Sequence, residues 1–329
     1  MRSRSVLLYS LLAIGFFLFS PVSAQTIQQS TSIIMNVIPT NPKPGDLVDI
    51  SLNSFAENLN TSTITWVVND KSSSGGIGQK SFSLQAPAAG SATTVTAIVK
   101  TADGQLSEVS TTLHPAVMDL LWQAEDSYVP PFYRGKALPG PDTFVKVVAM
   151  PEINTGSSTL DPEKMTYAWN VDFSNLPDQS GYGKNFMVYK NNYLDTSDSV
   201  YVTAASTDGK YTSDARLSIA MYSPEIIFYD VDPGLGVLWD NVLQDYFKVS
   251  SEASVRAAPY FISPVDIRRP DLVFDWSIND THLSIPNYAK IVLPLKTEAG
   301  SSGIAKLGLD ITNTGKIFEE ASKEIYVQF

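Results

Sequence analysis

The chain has 329 residues, no cysteine, and 34 Asp and Glu against 23 Lys and Arg, for a net charge of −11. The missing cysteines exclude disulfides, thiolate metal sites and thiol nucleophiles. The acidic balance argues against nucleic acid or anionic lipid as partner, since both would repel it.

Residues 1–24 read as an export signal. Arg2 and Arg4 give a basic start, residues 6–19 are apolar apart from Ser10 and Gly15, and Pro21 precedes the small-residue stretch Val22-Ser23-Ala24. The apolar run reaches only about 21 Å as a helix, short of a hydrocarbon core of about 30 Å. Cleavage before Gln25 is therefore expected, with an uncleaved N-terminal anchor as the alternative. The mature chain is expected to contain no transmembrane segment. Residues 25–32 are polar and read as a flexible leader.

From residue 33 the pattern is that of strands: short β-branched and aromatic runs that alternate between apolar and polar, separated by turn residues. In the first stretch strands are predicted at 33–37, 47–52, Thr63–Val68, 80–84, Thr93–Lys100 and 109–113. Pro42-Lys43-Pro44-Gly45 and Ala102-Asp103-Gly104 are read as turns, and so is Gly75-Gly76-Ile77-Gly78. The same order returns twice. A strand around a single tryptophan occurs at Trp66, at Trp169 and at Trp276, roughly 100 residues apart, the length of one immunoglobulin-sized sandwich. The expected fold is all-β: three tandem Ig-like antiparallel β-sandwich modules at 33–115, 116–223 and 224–329. Trp66, Trp169 and Trp276 are expected in the module cores, where each ring buries about 150–250 Å².

Modules two and three carry longer connections than module one, at 124–142 and 230–250. These hold Tyr128, Phe132, Tyr133, Arg134 and Trp239. Two readings stay open for these residues: packing into joints between modules, or a protruding surface that grips a partner, for which aromatics beside an arginine have the right composition. Residues 237–247 place apolar side chains at helical spacing and are expected to form a short amphipathic helix.

Chemistry is sparse. The two histidines, His114 and His282, are isolated and offer neither zinc spacing nor a Ser-His-Asp arrangement. The acids at Asp195 and Asp198, at Asp230 and Asp232, and from Asp240 to Asp245 lack the D-x-D-x-D-G spacing of a calcium loop. They are read as solvated turns, leaving weak Ca²⁺ binding unsupported by any motif. No enzyme activity, cofactor, metal site or catalytic residue is expected.

With the strands laid out, the modules resemble the Ig-like and PKD-type repeats of exported bacterial surface proteins. The likeness lies in the aromatic-x-Trp strand, as in Tyr167-Ala168-Trp169, and in the Asp-Gly hairpins at Asp103-Gly104 and Asp208-Gly209. It departs where PKD modules follow the tryptophan strand with Gly-Asp-Gly. The resemblance implies a non-catalytic exported surface protein, structural or adhesive, in a bacterium or archaeon, with a protein or glycan as partner. Two alternatives remain: a carbohydrate- or protein-binding accessory protein, and a periplasmic assembly factor for a pilus or surface layer. Oligomeric state and ligand are not legible in the chain.

Overall fold

A computed structural model describes residues 28–29, 32–155, 158–286, 290–298 and 300–329. The signal segment and most of the leader lie outside the described residues. The described residues are all-β, and the only helical turns among them are two short 3₁₀ segments. Among the described residues no helix is long and apolar enough to cross a membrane.

Six sheets follow one another along the chain. The first two are built from β1 (Gln28–Gln29), β2 (Ile33–Ile38), β3 (Leu47–Ser54), β4 (Thr63–Val68), β5 (Lys71–Ile77), β6 (Ser81–Gln85), β7 (Thr93–Lys100) and β8 (Leu106–Leu113). Their orders are β1-β8-β7-β4-β5 and β2-β3-β6. The next two use β9 (Val117–Ala124), β10 (Phe144–Glu152), β11 (Thr166–Val171), β12 (Ser174–Asn175), β13 (Gly181–Tyr182), β14 (Phe186–Lys190), β15 (Ser197–Ala205) and β16 (Thr212–Ala220). They run β14-β10-β9 and β12-β11-β15-β16, with β13 added to β11. The last two use β17 (Glu225–Asp232), β18 (Gly236–Val242), β19 (Tyr246–Lys248), β20 (Glu252–Tyr260), β21 (Leu272–Ile278), β22 (Thr281–His282), β23 (Val292–Lys296), β24 (Ile304–Asn313) and β25 (Glu320–Gln328). They run β18-β17-β20-β23 and β19-β25-β24-β21-β22.

The residues divide into two compact units. One holds the described residues up to Asn36 with Ile50–Phe82 and Thr94–Thr111; the other holds Val37–Asp49, Ser83–Thr93 and Thr112–Phe329. In the first unit the alternation of β4 and β7 turns Ile64, Trp66, Val95, Ala97 and Val99 inward, all fully buried. The Trp66 ring stacks on Phe82 at 5.4 Å between centroids. In the second unit two separate cores form. One joins Val145, Val147, Tyr167, Trp169, Val200 and Val202; the other joins Phe228, Val255, Trp276, Leu309, Ile311 and Ile325. Each draws side chains from both sheets of its pair, as face-to-face packing requires.

The three tryptophan strands share a backbone device. Trp66 Nε1 donates to the Gln79 carbonyl at 3.0 Å, Trp169 Nε1 to Lys184 at 2.9 Å, and Trp276 Nε1 to Lys290 at 2.9 Å. The hairpin after each strand turns through two consecutive residues with positive φ: Asn69 and Asp70, Asp172 and Phe173, Asn279 and Asp280. That is the conformation of a two-residue hairpin turn, and Asn and Asp tolerate it best after glycine. The first turn residue also clamps the next strand. The Oδ1 atoms of Asn69, Asp172 and Asn279 accept from the backbone N–H of Thr94, Ser199 and Lys306 at 3.0, 2.8 and 2.9 Å. In return the backbone N–H of each donates to the carbonyl of that same residue.

Four expectations need correction. Gly75-Gly76-Ile77 is strand rather than turn: the reversal falls at Asn69-Asp70, and Gly75 pairs with Thr65. A Cβ at Gly75 would lie 2.9 Å from the Ile64 carbonyl, so close backbone approach rather than turning calls for glycine there. Residues 237–247 form β18 and β19, not a helix. Asp232 Oδ1 accepts from the N–H groups of Gly234 and Leu235 at 2.7 and 2.8 Å, closing a turn that returns β18 onto the β17 edge. Helical spacing lost to an available sheet edge. The leader is not wholly irregular, because Gln28–Gln29 pairs parallel with β8. Asp198 is not in a solvated turn: it is 2 % exposed, at the start of β15.

Candidate functional site: the joint around the 124–142 segment

Residues after β9 leave their own sheet. Glu125 N–H still donates to the Phe144 carbonyl at 2.8 Å, but Tyr128 then exchanges two backbone bonds with the end of β20. Its N–H reaches the Ile262 carbonyl at 2.7 Å, and its carbonyl accepts from Phe261 N–H at 2.8 Å. The Tyr128 side chain packs on the core around Trp276. Beside it, Lys316 Nζ bonds Asp126 at 3.0 Å, with both side chains largely shielded from water.

The far end of the segment is held from the other side. The Gly140 carbonyl accepts from Asn191 Nδ2 and Thr143 Oγ1, each at 2.8 Å, while Asn191 Oδ1 takes the Thr143 N–H. Tyr222 N–H donates to the Pro139 carbonyl at 2.8 Å. Gly140 also backs onto Phe261 and Glu319: a Cβ there would meet the Phe261 carbonyl at 3.4 Å and Glu319 Oε1 at 3.8 Å.

Glu319 is the buried charge of this joint, at 1 % exposure. Its Oε1 accepts from the N–H and Oγ of Ser263, both at 2.8 Å, and its Oε2 from Asn313 Nδ2. Asn313 Nδ2 also reaches the Ser263 carbonyl at 2.7 Å. Burial raises the Glu319 carboxyl above its ordinary range, against the opposing pull of these bonds and of Lys316. Within the second unit the segment Val37–Asp49 meets β16 in a similar polar manner: Asn41 Nδ2 donates to Asp214 Oδ1 at 2.7 Å, and Thr212 Oγ1 donates to Asn41 Oδ1.

The five aromatic and basic residues singled out in the long connections do not form one surface. Tyr128 is internal to the joint. Tyr133 sets its ring edge-on to Tyr260 and Phe261 at 5.6 and 6.0 Å. Trp239 lies elsewhere, on β18, tilted over Tyr229 at 5.0 Å, with the Arg256 guanidinium 6.0 Å from its ring. Phe132, at 85 % exposure, and Arg134 point to solvent. Trp66, Trp169 and Trp276 are at most 1 % exposed.

Chemical groups elsewhere are accounted for by packing. His114 lies against the Tyr211 ring at 4.6 Å, and burial lowers its pKa. His282 Nδ1 pairs with Asp275 Oδ2 at 2.8 Å on the surface, and that bond raises its pKa. Asp172, Asp195 and Asp198 bring carboxylate oxygens within 4.8 Å of one another. Asp198 Oδ2 takes the Tyr189 hydroxyl proton at 2.7 Å, and burial raises the pKa of both groups. Sequence reasoning missed Glu319, Ser263 and Asn313, whose separations along the chain carry no motif. It also missed the hairpin clamp, although an Asn or Asp three places after every core tryptophan was there to be read.

No protein-family model and no curated protein sequence matches the chain. Solved structures similar to it are arrays of fibronectin-III and Ig-like modules. The central fibronectin-III array of RIM-binding protein is 9% identical, covering 92% of this chain and 99% of that one at a TM-score of 0.32. The fibronectin(III)-like modules of Clostridium thermocellum CbhA are 14% identical, over 57% of this chain and 94% of theirs, at 0.29. A structure from a bacterial ice-binding adhesin is 9% identical, over 92% and 98%, at 0.23.

Proposed function

We propose that the chain is an exported, non-catalytic surface protein in which three Ig-like modules, at 33–115, 116–223 and 224–329, act as a stiff spacer that presents a contact surface. The observation that carries this reading is the construction of the 124–142 joint. A connection that merely closed β9 onto β10 within the second module would be short and solvated. This one exchanges backbone bonds with residues 261–262 of the third module, hydrogen-bonds its Pro139-Gly140 end within the second, and backs Gly140 onto Glu319, which Ser263 and Asn313 hold from within the third. Such a joint resists bending, because bending would strand buried polar groups. The exposed Phe132 and Arg134 at its crest are the proposed contact, with a protein or glycan as partner.

Small-angle scattering of the secreted chain tests the spacer. The parent should give a narrow distribution of maximum lengths, and the double variant Asp126→Ala with Lys316→Ala a broader one. A parent as flexible as the variant would refute stiffness. N-terminal sequencing of material from the extracellular or periplasmic fraction should begin at Gln25, and recovery from the cytoplasm alone would refute export. Phe132→Ser should abolish partner binding while leaving the scattering profile unchanged; lost rigidity instead would make Phe132 part of the joint.

A further inference from the structure

The tryptophan strands of the second and third sheet pairs and the strands that face and flank them can be aligned residue by residue, and one pair of positions differs in a way that opens the third. The carbonyls that accept from Trp169 and Trp276, at Lys184 and Lys290, each stand two residues ahead of a five-residue strand, β14 and β23. Tyr189 therefore corresponds to Leu295. On the facing sheet Val171 pairs with Val200 and Ile278 with Leu307, while Asp198 pairs with Ile219 and Ala305 with Val327. Asp198 therefore corresponds to Ala305.

In the second pair these two positions form a plug: the Tyr189 hydroxyl donates to the buried Asp198 between the sheets. In the third pair a leucine and an alanine cannot reach each other. The end of the sandwich is left open as a cavity of about 480 Å³, lined by Ile278, Leu283, Leu295, Leu307, Val327 and Phe329. That volume lies within the range of small-molecule sites, about 300–1,000 Å³.

Two cations also line the cavity, and both are already neutralised. Lys296 Nζ holds Glu252 at 2.8 Å, and Lys306 Nζ holds Asp280 at 2.6 Å and Glu324 at 3.2 Å. The three acids leave no net positive charge for an anionic head, while a cation would meet both lysines. Burying either kind of charge against this aliphatic wall is unfavourable. The geometry points to a binding site at this end of the third sheet pair for a small uncharged aliphatic ligand.

The test is a methyl-detected NMR titration of the full mature chain with 1-octanol, below its solubility limit. Octanoate and octyltrimethylammonium serve as charged controls. Saturable shifts are expected at Ile278, Leu283, Leu295, Leu307 and Val327 with octanol, and at least tenfold weaker binding with either ion. The variant Leu295→Tyr with Ala305→Asp installs the plug of the second pair and should abolish octanol binding. Ala305→Ile, which fills the cavity without a polar group, should do the same and covers the case in which the double variant fails to fold. Octanol shifts that do not saturate would overturn the proposal. So would equal binding of the charged controls, or undiminished binding in a folded cavity-filling variant.

Discussion

Replacing Trp276 with alanine removes a fully buried indole that stacks on Phe228 at 5.4 Å and donates to the Lys290 carbonyl at 2.9 Å. Truncating a buried aromatic costs about 3–5 kcal/mol through lost burial and the cavity left behind. The Lys290 carbonyl would also lose its donor, and an orphaned buried acceptor costs about 1–3 kcal/mol. The two overlap, so the expected loss is at least about 3 kcal/mol, a large share of the stability of a small domain at about 5–15 kcal/mol. Trp276→Phe keeps a ring against Phe228 but not the donor, and should cost about 1–3 kcal/mol. Urea unfolding followed by circular dichroism gives the totals. Hydrogen exchange locates the damage, which should fall on β21, β24 and β25 while the core around Trp169 stays protected. A Trp276→Ala chain within about 0.5 kcal/mol of the parent, a change typical of surface sites, would refute the core assignment.

Asn279→Ala should cost about 1 kcal/mol or somewhat more, since it removes the acceptor for Lys306 N–H from a residue at φ 49°. Asn279→Gly also removes the acceptor but suits the positive φ, so it should lose less than Asn279→Ala; a glycine variant as stable as the parent in thermal melts would count against the clamp. Gly75→Val should destabilise by about 1–3 kcal/mol, because its Cβ would meet the Ile64 carbonyl at 2.9 Å; an unchanged melting temperature would show that β5 is free to move away. Burial raises the pKa of Glu319 and Asp198 in the folded chain. Each therefore stabilises the fold fully below its unfolded pKa, near 4.5 and 3.8, and that contribution is lost as pH rises through the raised folded value. The parent should gain stability over Glu319→Gln as the pH falls from about 7 to about 5. An unchanged difference between the two would mean that Glu319 titrates normally.

The all-β class and the recurrence of the tryptophan strand were legible in the chain, because each is a local property. Period-two alternation reports a strand with one buried face, and a turn residue reports a dihedral angle; neither needs a neighbour to be known. The Asn69, Asp172 and Asn279 clamps belong here too, since their fixed offset from each tryptophan is visible in the sequence.

Other features were decided by contacts between distant residues. Apolar spacing at 237–247 fits a helix as well as a hairpin, and only the open edge of β17 chose between them. Tyr128 and Phe132 look alike in sequence, yet one packs half-buried against a neighbouring core and the other stands in solvent. Glu319 becomes a buried charge only because Ser263, from the loop after β20, and Asn313, at the end of β24, converge on it. The same holds for Asp198, closed over by Tyr189, and for Ala305, whose cavity exists because Leu295 brings no hydroxyl to meet it. Outside 75–77 and 237–247, the sequence by itself determined where the main strands run and which faces they bury, through intrinsic backbone and side-chain preferences. Tertiary structure alone decided which polar groups are buried and where a sheet pair stays open, because burial depends on what packs from elsewhere in the chain.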